Sequence, residues 1–201
     1  MPPVDWDLAA RSLGPIVLGA VRGTVPLAIV SFAAGMLVAV GVALARLSRH
    51  RVLSGAGRAY VSVIRGTPLL VQLFVVFYGL PSLGLVIDPW PSAIIAFSLN
   101  VGGYGAEIVR AAILSVPKGQ WEAAHVIGMS HRQSLTRIVL PQAARVSVPP
   151  LSNTFIALVK DTSLASLILV TELFRRAQQV AAFSQQFMLL YLEAALVYWV
   201  I

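Results

Sequence analysis

The chain has 201 residues, 58% of them hydrophobic and 11% charged, with a formal net charge of +7 and no cysteine. A soluble domain carries about 25% charge and about 45–50% apolar residues, so the composition argues against one, and the lack of cysteine excludes disulfides and thiolate metal sites. The basic surplus fits the cytoplasmic loops of a membrane protein and gives no reason to expect a nucleic-acid partner; His50, His125 and His131 lie in polar stretches and form no metal-binding cluster.

Met1 to Asp7 is acidic where a secretory signal peptide needs positive charge, so no such signal is read there. A bilayer span needs about 20 mostly apolar residues. Five stretches qualify, at about 18–44, 61–80, 92–114, 149–173 and 187–201. The last is still apolar at Ile201. It would rise only about 22 Å against a hydrocarbon core of about 30 Å, so the natural protein is expected to continue. The expectation is an all-α membrane protein, 1–201 forming a single transmembrane domain.

Orientation follows from Arg and Lys. The first connection holds Arg46, Arg49, Arg51, Arg58 and Arg65 with no acid, and the third holds Arg110, Lys118, Arg132, Arg137 and Arg145. The second, Pro81 to Pro91, holds only Asp88. The first and third connections are therefore cytoplasmic and the N-terminus outside. Arg175 and Arg176 in the fourth connection conflict mildly with this, partly offset by Glu172.

The third connection, 115–147, reads as two short helices on the cytoplasmic face. Gln120 to Ile127 forms one, with Ala123, Ala124 and Ile127 on its apolar side. Gly128 suits the left-handed residue that ends a helix. Ser130 with Gln133 three residues on matches a capping box. The second helix offers Leu135, Ile138 and Val139, and Pro141 is expected to terminate it. On spacing alone, two readings fit: a rigid element that docks into a groove of a soluble partner, or an interfacial hairpin without one.

At this point the sequence resembles a known family. Permeases of binding-protein-dependent ABC importers carry Glu-Ala-Ala, three residues, Gly, nine residues, then Ile-x-Leu-Pro. Here the pattern is Glu122-Ala123-Ala124, Gly128 and Ile138-Val139-Leu140-Pro141, with every gap matching. Arg65 to Gln72, the segment Tyr104, Glu107, Ile108 and Arg110 followed by Ser115 to Gln120, and Lys160 to Leu164 are similar to the polar amino-acid branch, of histidine, glutamine and arginine permease type. The resemblance implies a type I importer permease fold in a bacterial inner membrane. It makes Glu122, Ala123, Ala124, Gly128, Ile138, Leu140 and Pro141 the residues that couple to an ATPase. It further implies two ABC ATPase subunits, a second permease chain as homodimer or heterodimer, and an extracytoplasmic amino-acid-binding protein. A phosphate-cradling loop needs Gly-x4-Gly-Lys-Ser/Thr, and neither Lys118 nor Lys160 has that setting. The chain is thus expected to hold no cofactor and to hydrolyse no ATP itself, ATP-Mg being bound by the partner. Alternatives are an importer permease for another solute, a self-sufficient secondary transporter, and a membrane scaffold.

Ionisable groups at bilayer depth are functional candidates. Gln72 and Asp161 fall about 17 and 18 Å above the inner edge of their spans, and Asn100 about 18 Å, near one level. Asn100, Tyr104 and Glu107 share a stripe at i, i+4, i+7. Gly66, Thr67 and Pro68 can interrupt the second span. Broken backbone at this depth is tolerated where it lines a cavity or is buried in protein. Two readings stay open. Asn100, Glu107 and Asp161 contact the amino group or polar side chain of an amino acid, with Gln72, Tyr104 and the Gly66–Pro68 break completing the cavity; or the charges pair with one another, for instance Glu107 with Lys160.

Overall fold

A computed structural model describes residues 6–201, and the described residues are helical apart from short connections. Residues 1–5, most of the acidic stretch read as no signal peptide, lie outside them. Helix α1 (Trp6–Gly19) passes through a wide π turn (Ala20–Thr24) into α2 (Val25–Leu47). Helix α3 (Arg51–Gly66) stops at Thr67, which is extended (φ −117°, ψ 141°), before α4 (Leu69–Phe74), a second π turn (Val75–Gly79) and a 3-10 turn (Leu80–Leu83). Then come α5 (Pro89–Ser115) and α6 (Lys118–Val126). Helix α7 (His131–Ser134) runs through a third π turn (Leu135–Val139) into α8 (Leu140–Asp161) and a 3-10 turn (Thr162–Ile168). Helices α9 (Leu173–Ser184) and α10 (Phe187–Val200) follow. By length and apolarity Asp7–Leu47 and Pro89–Ser115 can each cross a membrane, and two broken pairs, Arg51–Gly66 with Leu69–Leu83 and His131–Ile168 with Leu173–Ser184, can each supply one more span. Helix α10 is shorter than these.

The π turns share a sequence cause. Each ends two residues before a proline: Thr24 before Pro26, Gly79 before Pro81, Val139 before Pro141. A proline in a helix lacks its N–H and its ring meets the carbonyl four residues back. Here those carbonyls belong to Arg22, Phe77 and Arg137, all inside the widened turns. The residue before each proline bonds five back instead of four: Val25 N–H to Ala20 O, Leu80 to Val75, Leu140 to Leu135. This corrects one expectation. Pro141 does not terminate the second hairpin helix; the widened turn absorbs it, and helix continues from His131 to Asp161.

The chain divides into two compact units, one of residues up to 32, 69–97 and 157–201, the other of 33–68 and 98–156. In the first, Ile16, Ala20, Leu173, Ala177 and Ala194 form a buried cluster with Phe174, Val197 and Tyr198 packed on it. The fully buried Glu172 organises its edge. Its carboxylate caps α9 by accepting from the N–H groups of Phe174 (2.8 Å) and Arg175 (2.6 Å). It also accepts from the hydroxyls of Thr24 (3.3 Å) and Tyr198 (2.9 Å). The first helix reaches it because Gly23 lacks a side chain: a Cβ there would lie 2.5 Å from Glu172 Cα. Elsewhere in this unit Ser12 Oγ lies 2.7 Å from the buried Glu193.

In the second unit small residues again set the helix spacing, as is usual in bilayers. A Cβ on Gly103 would lie 2.5 Å from Ile64, and one on Gly102 2.7 Å from both Tyr60 and Val38. Tyr60 donates its hydroxyl to Leu99 O at 2.7 Å. Ala43, Val61 and Ala106 are buried in one cluster; Ala112, Ile113, Val116, Val139 and Ala143 form another, at the foot of the hairpin.

Substituting Gly23→Ala forces backbone away from backbone, so a stability loss of about 1–3 kcal/mol is expected. Denaturant titration in detergent micelles checks it, with Gly55→Ala, where a Cβ meets nothing within 4 Å, as the control.

Candidate functional site

The hairpin between α5 and α8 is built by local chemistry. Pro117 opens α6 in an extended conformation (φ −55°, ψ 138°). The helix ends in a Schellman closure: Gly128 N–H bonds His125 O and Met129 N–H bonds Ala124 O, both at 3.0 Å, with Gly128 at φ +78°. Ser130 then forms the expected capping box, its hydroxyl accepting from Gln133 N–H (3.3 Å) and its own N–H donating to Gln133 Oε1 (2.8 Å). The two arms are joined by side chains as well. The Trp121 indole stacks on the His131 imidazole, centroids 5.1 Å apart and planes 17° off parallel. Gln142 donates to Gln120 at 3.3 Å.

Of the residues matching the family pattern here, Ala124 is buried, Ile138 half-buried, and Glu122, Ala123, Gly128, Leu140 and Pro141 are exposed. Two expectations change. Ala123 and Ile127 are not on the covered side of α6; Ile127 is 73% exposed and Val126 85%. The reason is helical phase: Ala123 lies one step round the helix from the buried Ala124, and Ile127, whose N–H still bonds Ala123 O at 3.2 Å, is the last residue before the Gly128 turn. An acid and two bare aliphatic side chains therefore sit together on the outer side of a capped, two-armed element.

The polar candidates divide between the units. Gln72 and Asp161, both half-buried, belong to the first. Asn100, Tyr104, Glu107 and the exposed Gly66, Thr67 and Pro68 belong to the second. The α3 break falls at Thr67, whose hydroxyl returns to Val63 O at 2.9 Å. The Arg65 guanidinium lies over the Tyr104 ring, 5.4 Å from its centroid. Glu107 is engaged by two arginines. Arg46 from the end of α2 bonds one oxygen, and Arg110 the other, with its Nε at 3.1 Å. The three side chains are 15–28% exposed, so the cluster is largely shielded. Arg46 is held on its other side by α3, where Gly57 leaves room for its aliphatic stem. The pairing alternative read from the sequence named Lys160; the partners found are Arg46 and Arg110.

Nothing local marks Arg46 as that partner, because in sequence it is one of five arginines in a basic connection. Trp121, His131, Glu172 and Glu193 were also missed as structural contacts. For Glu172 a signal existed: an acid at the start of an amphipathic helix is favoured by the helix dipole.

Comparison with known proteins agrees with the family that the Glu-Ala-Ala pattern resembles. Residues 34–201 match the family of binding-protein-dependent transport system inner membrane components, and the chain belongs to it. It is 58% identical to the L-cystine transport system permease protein TcyB of Bacillus subtilis over 98% of this chain and 85% of that one. It is 40% identical to the probable amino-acid ABC transporter permease protein YckA of the same organism, over 98% of this chain and 90% of that one. A crystal structure of an amino acid ABC transporter with histidines superposes with a TM-score of 0.93 at 31% identity, covering 98% of this chain and 92% of that one. The fold is that of a type I ABC importer permease, and the chain is a multi-pass inner-membrane component of such a system.

Glu107→Gln removes one charge from a shielded three-member cluster and leaves two guanidinium groups short of a partner. The expected result is a stability loss of about 1–3 kcal/mol with little change in the apparent affinity for substrate. Denaturation and uptake titrations on the same preparation check it; an altered affinity at unchanged stability would instead return Glu107 to the substrate.

Proposed function

We propose that this permease carries amino acids, L-cystine first among them, into the cytoplasm, driven by ATP that separate subunits hydrolyse. The single observation behind the ATP-driven reading is the hairpin: a pre-formed element with Glu122, Val126 and Ile127 bare on its outer side. A groove on a soluble ATPase is the partner whose chemistry matches it. The cystine assignment is supported by the 58% identity to a cystine permease and the 31% identity to an amino acid transporter of the same fold. The chain itself is read as a single transport domain that catalyses nothing and binds no nucleotide; ATP-Mg belongs to the ATPase subunits.

The complete importer then contains two permease chains, two ATPases and an extracytoplasmic binding protein that delivers the amino acid. The first and third connections face the cytoplasm and the N-terminus lies outside, in keeping with the arginines of the hairpin and of the α2–α3 connection. Gln72 and Asp161 of the first unit and Asn100 of the second are assigned to substrate on the common level that the span positions in the sequence give them, with Tyr104 and the Gly66–Thr67–Pro68 break completing the set. Glu107 is assigned to its ion pairs. ATP binding closes the ATPases, moves the hairpins and opens the pathway outward.

Two measurements test this. The chain contains no cysteine, so Val126→Cys provides a single labelling point on the outer side of α6. Cross-linking from it in intact membranes is expected to capture an ATP-hydrolysing subunit, and consistent failure would remove the coupling reading. In liposomes, ATP hydrolysis by the assembled complex is expected to rise with cystine-loaded binding protein above the other amino acids of a panel.

A further inference from the structure

Helix α6 has nine residues, too few to hold a helical shape or a fixed position by itself. Whatever fixes it to the spans decides how a push on its outer side is transmitted. Ala124 is the only one of its residues that is fully buried, and it brings a single methyl group. The Gln120–Gln142 hydrogen bond is exposed to solvent, where such a bond adds little. Trp121 is different. It shares the inner side of α6 with Ala124, three residues on, and brings the largest apolar surface of any side chain type.

Two contacts converge on its indole. One part packs on the buried cluster of Ala112 and Ile113 from α5, Val116, Val139 and Ala143, which joins the ends of two spans. One face stacks on His131, the first residue of α7. From His131 the helix runs on through Leu140 to Asp161. One residue thus touches the foot of α5 and the start of the α7–α8 run at once, while Glu122 and Val126 are exposed and, with Trp121 and His131, line a cavity of about 620 Å³. Nothing stands ready to replace the ring. A cavity of about 440 Å³ already lies beside it, lined by Leu47, Ile113, Leu135 and His131.

We infer that Trp121 is a positioning residue for transport, locking α6 to α7 through the His131 ring and to the spans through the buried cluster. A load applied on the outer side of α6 then moves α7 and α8 with it, where a looser contact would let α6 rock alone. The inference rests on the reading of the hairpin as the ATPase-coupling element. The planar, two-torsion indole suits this role better than a longer aliphatic chain, because it transmits displacement with little rotamer freedom.

The test uses the complete complex in liposomes and reads cystine moved per ATP hydrolysed. Trp121→Ala is expected to keep the ATPase subunits bound and hydrolysing while the ratio falls about fivefold or more, the range of an ordinary coupling free energy. Trp121→Phe restores most of the ratio. His131→Ala, on an exposed residue, lowers it in the same direction, and the double variant is no worse than Trp121→Ala alone, as expected for one shared contact. A wild-type ratio in Trp121→Ala overturns the inference. If Trp121→Ala fails to assemble, His131→Ala against His131→Phe decides: equal, wild-type ratios in both overturn it. If the unaltered complex shows no cystine-dependent ATP hydrolysis, the coupling reading itself has failed, which is a different result.

Discussion

A helix in hydrocarbon has no water to satisfy an orphaned backbone group, so every break in its ladder must be answered within the protein. At Pro26, Pro81 and Pro141 the turn before the proline widens to a π turn and the preceding residue bonds five back. Helix then continues past Pro26 and Pro141, while past Pro81 a 3-10 turn (Leu80–Leu83) closes the segment. The long first helix and the α7–α8 run both exist because of this device. Other prolines are met differently: Pro15, Pro149 and Pro150 lie inside helices with no widened turn before them, and at Pro68 the chain turns extended at Thr67 and starts a new helix.

Polar groups at depth follow a second rule. Burying a carboxylate is costly unless donors meet it, and two acids at depth are each met by several. Glu172 takes two backbone N–H groups and two hydroxyls, and two glycines let the first helix come close enough to supply one of them. Glu107 takes two guanidinium groups. Within each unit such an acid fastens a helix end to its neighbours: Glu172 ties α9 to Thr24 and Tyr198, and Glu107 ties α5 to Arg46. An acid in a span is therefore no sufficient sign of a substrate site. In this chain the acids differ by their company: Glu172 and Glu107 each meet several donors, whereas Asp161 stands beside Lys160 at the end of α8.

The hairpin joins both themes to function. Its caps are local and complete: a glycine at positive φ, a Schellman closure, a capping box. Its attachment is not local. It depends on an indole that meets α7 on one face and the foot of the spans elsewhere. The force-carrying role proposed for the hairpin needs both, since a well-capped helix on a loose mount would absorb the displacement it receives.

Much of this was legible in the sequence. The apolar stretches, the basic loops, the Gly128 turn and the Ser130–Gln133 box follow from rules that act within a few residues, and the Glu-Ala-Ala pattern has fixed spacing. What could not be read were the partners. That Glu107 meets Arg46, that Gly23 admits Glu172 and that Trp121 lies on His131 depend on helices distant in sequence arriving side by side, which no local periodicity encodes. The fate of Pro141 is an intermediate case. Its missing N–H is written in the sequence, but whether a helix stops there or widens and continues depends on the packing of Val139 and Ala143 against α5, and only the tertiary structure decided that. Local hydrogen-bond geometry determined the elements, and the burial of side chains between elements determined how force and charge pass from one to the next.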